Sequence, residues 1–182
     1  MGKITFILGG ARSGKSQFAL KIAKGKGTAK VAFIATCQAL DDEMDERIKL
    51  HKKLRPGQWA TFEEPLRVAA VVKKIRSEYD FILIDCLTLL VTNLLLKKKT
   101  PEEIKSEVGA IIDELKKHKG SSVIVSNEVG LGIVPNTRLG REFRDIAGQM
   151  NKIVAERSNK VFFMVSGMPL KINPSTVLRV LS

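Results

Sequence analysis

The sequence predicts an α/β fold, a mostly parallel sheet flanked by helices. Short, mostly apolar runs (KITFIL, VAFIA, FILI, SVIVS and VFFMVS) recur along the chain. Helical patterns stand between them, and a glycine-rich turn joins the first run directly to the first helix. Strands that are apolar throughout have both faces buried, which calls for parallel pairing under helices on each side.

Each element follows from its local chemistry. Lys3 to Leu8 reads as a β-rich run, followed by the glycine turn and a helix from Ser16 to about Ala23. Val31 to Ala35 is a second buried strand. Asp41 to Lys53 (DDEMDERIKLHKK) is expected to be helical, with three acids in its opening turn to complement the helix dipole. Phe81 to Ile84 forms a third strand ending on Asp85, and a helix runs from about Leu87 to Lys98. Thr100 and Pro101 are an N-cap and N1 pair that starts a helix reaching about Lys117. Ser122 to Ser126 and Val161 to Ser166 are the last two strands, separated by a helix from about Arg138 to Ser158. No internal repeat, low-complexity segment or linker interrupts residues 1–182, so a single domain is expected.

Composition excludes several classes. With 44% hydrophobic and 27% charged residues, neither disorder nor collagen-like repetition fits. The net charge of +12 suggests a nucleic acid or an anionic membrane as partner. Each half of the chain carries +6, however, and the longest cationic run is Lys97-Lys98-Lys99, so the excess is diffuse. Aromatic content is 5%, with Trp59 and Tyr79 the rings other than Phe, so platforms for stacking bases are scarce. Cys37 and Cys86 have neither zinc-ligand nor CxxC spacing and fit a reducing cytoplasm. The opening apolar run stops at Leu8, too brief for a signal peptide or a membrane span. A soluble cytoplasmic protein is expected.

The segment Gly9-Gly10-Ala11-Arg12-Ser13-Gly14-Lys15-Ser16 satisfies G-x-x-x-x-G-K-[ST] between a strand and a helix. Its glycines let successive backbone N–H groups face phosphate oxygens beside a helix N-terminus. Lys15 is placed to reach the β- and γ-phosphates of a nucleotide, and the Ser16 hydroxyl to ligate Mg²⁺. A second magnesium partner belongs at the end of a neighbouring buried strand, where Asp85 closes FILID; Asp80 competes from the strand's other end. His118, in KKHKG, reads as a solvated helix end. His51, followed by Lys52, Lys53 and Arg55, is either a surface histidine or a nucleophile, since nearby cations keep a ring nitrogen deprotonated and attract polyphosphate. Spacing alone leaves that open. Glu63 and Glu64 precede Pro65 as loop or helix-start residues, and Asn127-Glu128-Val129-Gly130 emerges at the carboxyl end of a strand. Arg138, Arg141 and Arg144 form either a solvated basic stripe or an anion site.

Five segments in register, GGARSGKS, IATCQALDDEMDERIKLHKKLRP, NEVGLGIVP, RLGREFRDIAGQMN and VSGMPLKI, resemble the bifunctional adenosylcobinamide kinase/adenosylcobinamide-phosphate guanylyltransferase family. The resemblance covers nearly the whole chain. It implies a RecA-like P-loop fold, a homotrimer, and two reactions. The first phosphorylates the aminopropanol hydroxyl of the corrinoid substrate adenosylcobinamide with ATP or GTP. The second transfers GMP from GTP to that phosphate through GMP bound covalently to a histidine, giving adenosylcobinamide-GDP and pyrophosphate in cobalamin biosynthesis. The family's RI-x-x-H segment is Arg47-Ile48-Lys49-Leu50-His51 here, so the guanylylated residue maps to His51. The guanine-nucleotide contacts map onto Gly9, Gly10, Ala11, Arg12, Ser13, Gly14, Lys15 and Ser16. They continue onto Ala35, Thr36 and Cys37, onto Lys52, Lys53, Leu54 and Arg55, and onto Glu63 and Asp85. Cys37 stands where the family often has a hydroxyl residue. Arg12 and Arg55 are expected to stabilise phosphate charge. Two readings stand beside this one: a kinase with a structural His51, and a RecA-like nucleotide-driven nucleic-acid binder. The corrinoid and the nucleotide are the expected partners, without nucleic acid or membrane insertion.

Overall fold

The computed structural model of the chain describes residues 2–25, 27, 29–38, 46, 49 and 52–172. The described strands are β1 (Lys3–Gly9), β2 (Val31–Ala35), β3 (Ala60–Glu63), β4 (Phe81–Asp85), β5 (Ser121–Asn127), β6 (Lys160–Val165) and β7 (Met168–Ile172). The described helices are α1 (Lys15–Lys24), α2 (Val68–Ile75), α3 (Leu87–Leu96), α4 (Pro101–Lys117) and α5 (Arg138–Arg157). The strands form one seven-stranded sheet in the order β3-β2-β4-β5-β1-β6-β7. Pairing is parallel from β3 through β6, and only β7 runs antiparallel to its neighbour.

Alternation along the strands sorts side chains between two cores. Ile4, Phe6, Ala32, Ile34, Ile82, Ile84 and Ile124 meet α2, α3, α4 and α5 on one face. Ile7, Val31, Phe33, Ala35, Phe81, Leu83, Val123 and Val125 face the other way, onto Ala19, Leu20 and Ala23 of α1. Helix α3 buries Leu87, Leu90, Val91 and Leu94, and each such side chain contributes about 2 kcal/mol. Helix α4 opens with the expected Thr100 cap. Its hydroxyl accepts from Glu103 N while Glu103 returns a carboxylate to Thr100 N, a reciprocal pair with Pro101 at the first helical position. Among the described residues no helix is long and apolar enough to cross a membrane.

The expected strands are present with boundaries shifted by a residue or two, and three elements are additional: β3, α2 and β7. The helix expected over residues 41–53 lies largely outside the described residues, and His51 with it. One expectation is corrected. His118 is 1% exposed rather than solvated. It caps α4 where the chain turns beneath the sheet into β5, and its Nδ1 is 2.7 Å from the carbonyl oxygen of Arg76 at the end of α2. Packing of α2 over the end of α4 covers the ring, which the local charge pattern of KKHKG does not reveal.

Candidate nucleotide site

The turn between β1 and α1 is built for close backbone approach. A Cβ on Gly9 would lie 2.6 Å from the Met164 carbonyl oxygen of β6, so only glycine fits there. Gly14 precedes α1 with φ 91, and Arg12 also takes a left-handed conformation at φ 54, which costs a non-glycine residue about 1 kcal/mol. No side chain caps the N-terminus of α1. Its first N–H groups and the positive end of its dipole therefore suit an anion. The β6–β7 turn supports the loop from the side: Ser166 and Gly167 both have positive φ, and Gly167 N donates to the Ser13 carbonyl at 3.1 Å.

Lys15 is buried, with 7% exposure, and its ammonium donates to the Gly10 carbonyl and lies 3.5 Å from Ser13 Oγ. Burial lowers its pKa, and the nearby Asp85 carboxylate opposes the fall. Ser16 follows it, half-buried at the start of α1, while Ala11 and Arg12 stand exposed.

Register carries the remainder. Glu63, Ala35, Asp85 and Val125 are level across β3, β2, β4 and β5 at the carboxyl edge of the sheet. Parity places Asp85 on the face of Phe33 and Ala35, the face that α1 covers. Arg55 stacks there, its guanidinium carbon 3.7 Å from the centre of the Phe33 ring. Its Nε and Nη1 are buried and have no hydrogen-bond partner. Burial lowers the Arg55 pKa, opposed by Asp85, Glu63 and Cys37. Glu63 is held by Lys52 at 2.5 Å, while Lys53 and Leu54 are exposed beside it. Burial raises the Cys37 thiol, Asp85 adds to the rise, and Arg55 opposes it. Cys86 is pushed up to about 12 by burial, with Asp85 adding to it. Both thiols therefore stay protonated at neutral pH and act as small polar groups rather than nucleophiles.

Asp85 thus lies between two groups of residues and acts electrostatically on both, on Lys15 from the β1 turn and on Arg55 and Cys37 from the β2 side. Asp80 is at the opposite end of β4, where its carboxylate accepts from Lys30 N. Arg141 donates to the Pro135 and Asn136 carbonyls and pins its own loop, and Arg144 pairs with Asp145. That loop, rooted where Glu128 N donates to the Gly9 carbonyl, leaves Leu131 79% and Ile133 97% exposed.

Sequence reasoning missed a buried polar framework behind the site. Thr36 Oγ1 donates to the Cys86 carbonyl at 2.7 Å and accepts from Cys86 N at 2.8 Å, clasping the ends of β2 and β4. Asn93 joins Thr36 to Pro65. Thr88, Ser126 and Asn151 form a second chain of hydrogen bonds, and Thr88 and Asn151 fix the backbone of Asn127. The signal available in the sequence was a polar residue inside an apolar helical run, Asn93 in LTLLVTNLLL, because such a residue must be paired when buried.

Comparison with known proteins agrees with this architecture. A KaiC-like protein from Pyrococcus horikoshii OT3 superposes with a TM-score of 0.53 at 14% identity, over 89% of this chain and 70% of that one, a likeness of fold. The bifunctional adenosylcobalamin biosynthesis protein CobP of Pseudomonas aeruginosa is 45% identical, over 91% of this chain and 95% of its own length. The bifunctional adenosylcobalamin biosynthesis proteins CobU of Escherichia coli K12 and Salmonella typhimurium LT2 are 39% and 40% identical, each over 91% of this chain and 97% of their own. The pattern that describes cobinamide kinase / cobinamide phosphate guanyltransferase matches residues 5–172, from within β1 to the end of β7. With the phosphate turn, the Asp85 row and this near full-length match in hand, the chain belongs to the cobinamide kinase / cobinamide phosphate guanyltransferase family.

Proposed function

We propose that residues 1–182 act as one domain that phosphorylates adenosylcobinamide with ATP or GTP and then transfers GMP from GTP to the product through His51. The observation that carries this reading is the placement of Asp85 between the Lys15 turn and the Arg55–Glu63 group at one sheet edge. In the kinase step the acceptor hydroxyl attacks the γ-phosphorus, the bond to the β-bridging oxygen breaks, and the hydroxyl proton is released. Lys15 and the N–H groups of the turn and of α1 hold the charge on the phosphate oxygens. In the transfer, a deprotonated ring nitrogen of His51 attacks the α-phosphorus and pyrophosphate leaves. The corrinoid phosphate then displaces the imidazole, so kinetics are ping-pong. Arg12 and Arg55 stabilise phosphate charge, and the two orphaned donors of Arg55 support that assignment.

The donors present fit magnesium. Ser16 offers a hydroxyl and Asp85 a carboxylate, both hard oxygens, and Mg²⁺ is ordinarily held by one or two such groups together with nucleotide phosphates. When bound there it would neutralise negative charge on the nucleotide phosphates. Among the described residues no cluster of three or more His, Cys, Asp or Glu could hold a metal without a nucleotide.

We further propose a homotrimer in the cytoplasm. The exposed Leu131, Ile133, Val134, Met168 and Leu170 support a subunit contact, and the free thiols Cys37 and Cys86 suit a reducing compartment. Sedimentation equilibrium is expected to return three times the chain mass, and the mass of one chain at micromolar concentration would refute the trimer. Incubation with α-labelled GTP and Mg²⁺ followed by denaturation is expected to leave acid-labile, base-stable label on His51. Phosphorylated cobinamide without that label would reduce the protein to a kinase.

A further inference from the structure

We infer that Asn93 is a positioning residue that sets the spacing between the Thr36–Cys37 turn and the Glu63 segment, and through it the affinity for the guanine nucleotide. This rests on the proposed reading that those two segments contact the nucleotide.

Asn93 lies on α3, 4% exposed, in a helix whose other buried side chains are mostly apolar. Its amide nitrogen donates to the Thr36 carbonyl at 2.8 Å and to the Pro65 carbonyl at 3.1 Å. An amide nitrogen carries two protons, so both are spent, one on each segment. The acceptors come from different places in the chain. Thr36 leaves β2 and is itself clasped to Cys86 after β4. Pro65 follows the last residue of β3 by two positions, and Glu64 between them donates its N–H to the Ala35 carbonyl at 2.9 Å. Glu64 then turns its carboxylate onto Leu66 N and Arg67 N, and Glu107 of α4 accepts from Ala69 N. The Glu63 segment is therefore tied on its far side to α2 and α4, and Asn93 is the side chain that references it to the Thr36 turn. An apolar residue at this position would leave the buried Thr36 carbonyl and the partly buried Pro65 carbonyl without this donor, so the segments would part to find water. Losing one or two hydrogen bonds to a shared ligand when its contacts are displaced lowers affinity by about tenfold or more.

The test compares Asn93→Leu and Asn93→Asp with Thr92→Ala, whose hydroxyl donates back to the Thr88 carbonyl of the same helix. Steady-state formation of labelled guanylyl-enzyme is followed against GTP concentration, GTP dissociation constants are measured by calorimetry, and cooperative unfolding confirms the fold. Both Asn93 variants are expected to raise KM and Kd for GTP by about tenfold or more, with the saturating rate held within about threefold, and Thr92→Ala to leave both unchanged. Should Asn93→Leu fail to fold, the nearly isosteric Asn93→Asp decides. A lowered saturating rate with unaltered KM and Kd marks a merely structural residue and overturns the inference, as do unaltered values of all three. Glu63→Ala is measured alongside. If Glu63→Ala raises Kd and the Asn93 variants do not, only the Asn93 role fails. If Glu63→Ala leaves Kd unaltered, the reading of the Glu63 segment fails instead.

Discussion

Replacing Lys15 with alanine is expected to slow cobinamide phosphorylation by about 10²- to 10³-fold at saturating ATP, the range typical for removing a preorganised group that faces developing charge. The ammonium is buried and already bonded to the Gly10 carbonyl, so its position does not depend on nucleotide arriving. Burial weakens its hold on the proton, while Asp85 restores part of it. Such a desolvated cation acts on a phosphate more strongly than a surface lysine would, because less water screens it. Most of the loss should appear in kcat, since the interaction grows as charge moves onto the bridging oxygen. Product formation from ATP and cobinamide measures it. A rate within threefold of the parent in folded Lys15→Ala protein would remove Lys15 from the mechanism.

The second large effect separates the two activities. His51→Asn is expected to abolish the labelled guanylyl-enzyme and to lower GMP transfer by more than about 10³-fold, because asparagine cannot form the phosphoramidate. Phosphorylation by ATP should stay within about threefold, since Lys15 and the backbone N–H groups of the phosphate turn, rather than the imidazole, hold the phosphoryl group in that step. The chain directly after His51 is anchored on the sheet edge by the Lys52–Glu63 pair and by Arg55 on Phe33, so the substitution need not disturb the neighbouring groups. Retained GMP transfer in His51→Asn would mean direct displacement by the corrinoid phosphate, without a covalent enzyme.

How far the sequence discloses this molecule depends on the range of each interaction. Buried strands such as VAFIA and FILI declare themselves because every residue in them is apolar. β3 is four residues long with a half-exposed pattern, and β7 is exposed along its whole length and contains Pro169, so neither carries a periodic signal. Helix α2 has no side-chain cap of its own at Arg67; Glu64 accepts from the backbone just ahead of it, and the carboxylate that accepts from its first turn, at Ala69 N, comes from Glu107, far along the chain. The phosphate turn is legible because its parts are contiguous in sequence. Arg55, Glu63 and Asp85 meet through strand register, and their grouping was reached by resemblance to a family rather than from spacing. His118 failed for the same reason in reverse, since the helix that buries it lies 42 residues away.

The central position of β1 has a consequence for how the protein is made. Among the described strands β1 is made before the others, yet its neighbours β5 and β6 come late, and the Gly167 turn that braces Ser13 comes later still. At ordinary translation speeds the delay between Gly9 and Gly167 is on the order of 10 to 30 s. For most of that interval, until β5 is made, β1 has no neighbouring strand, and it gains the second only with β6. The β6–β7 hairpin thus completes the support of the phosphate turn, so the part of the site made early reaches its braced form only late in synthesis.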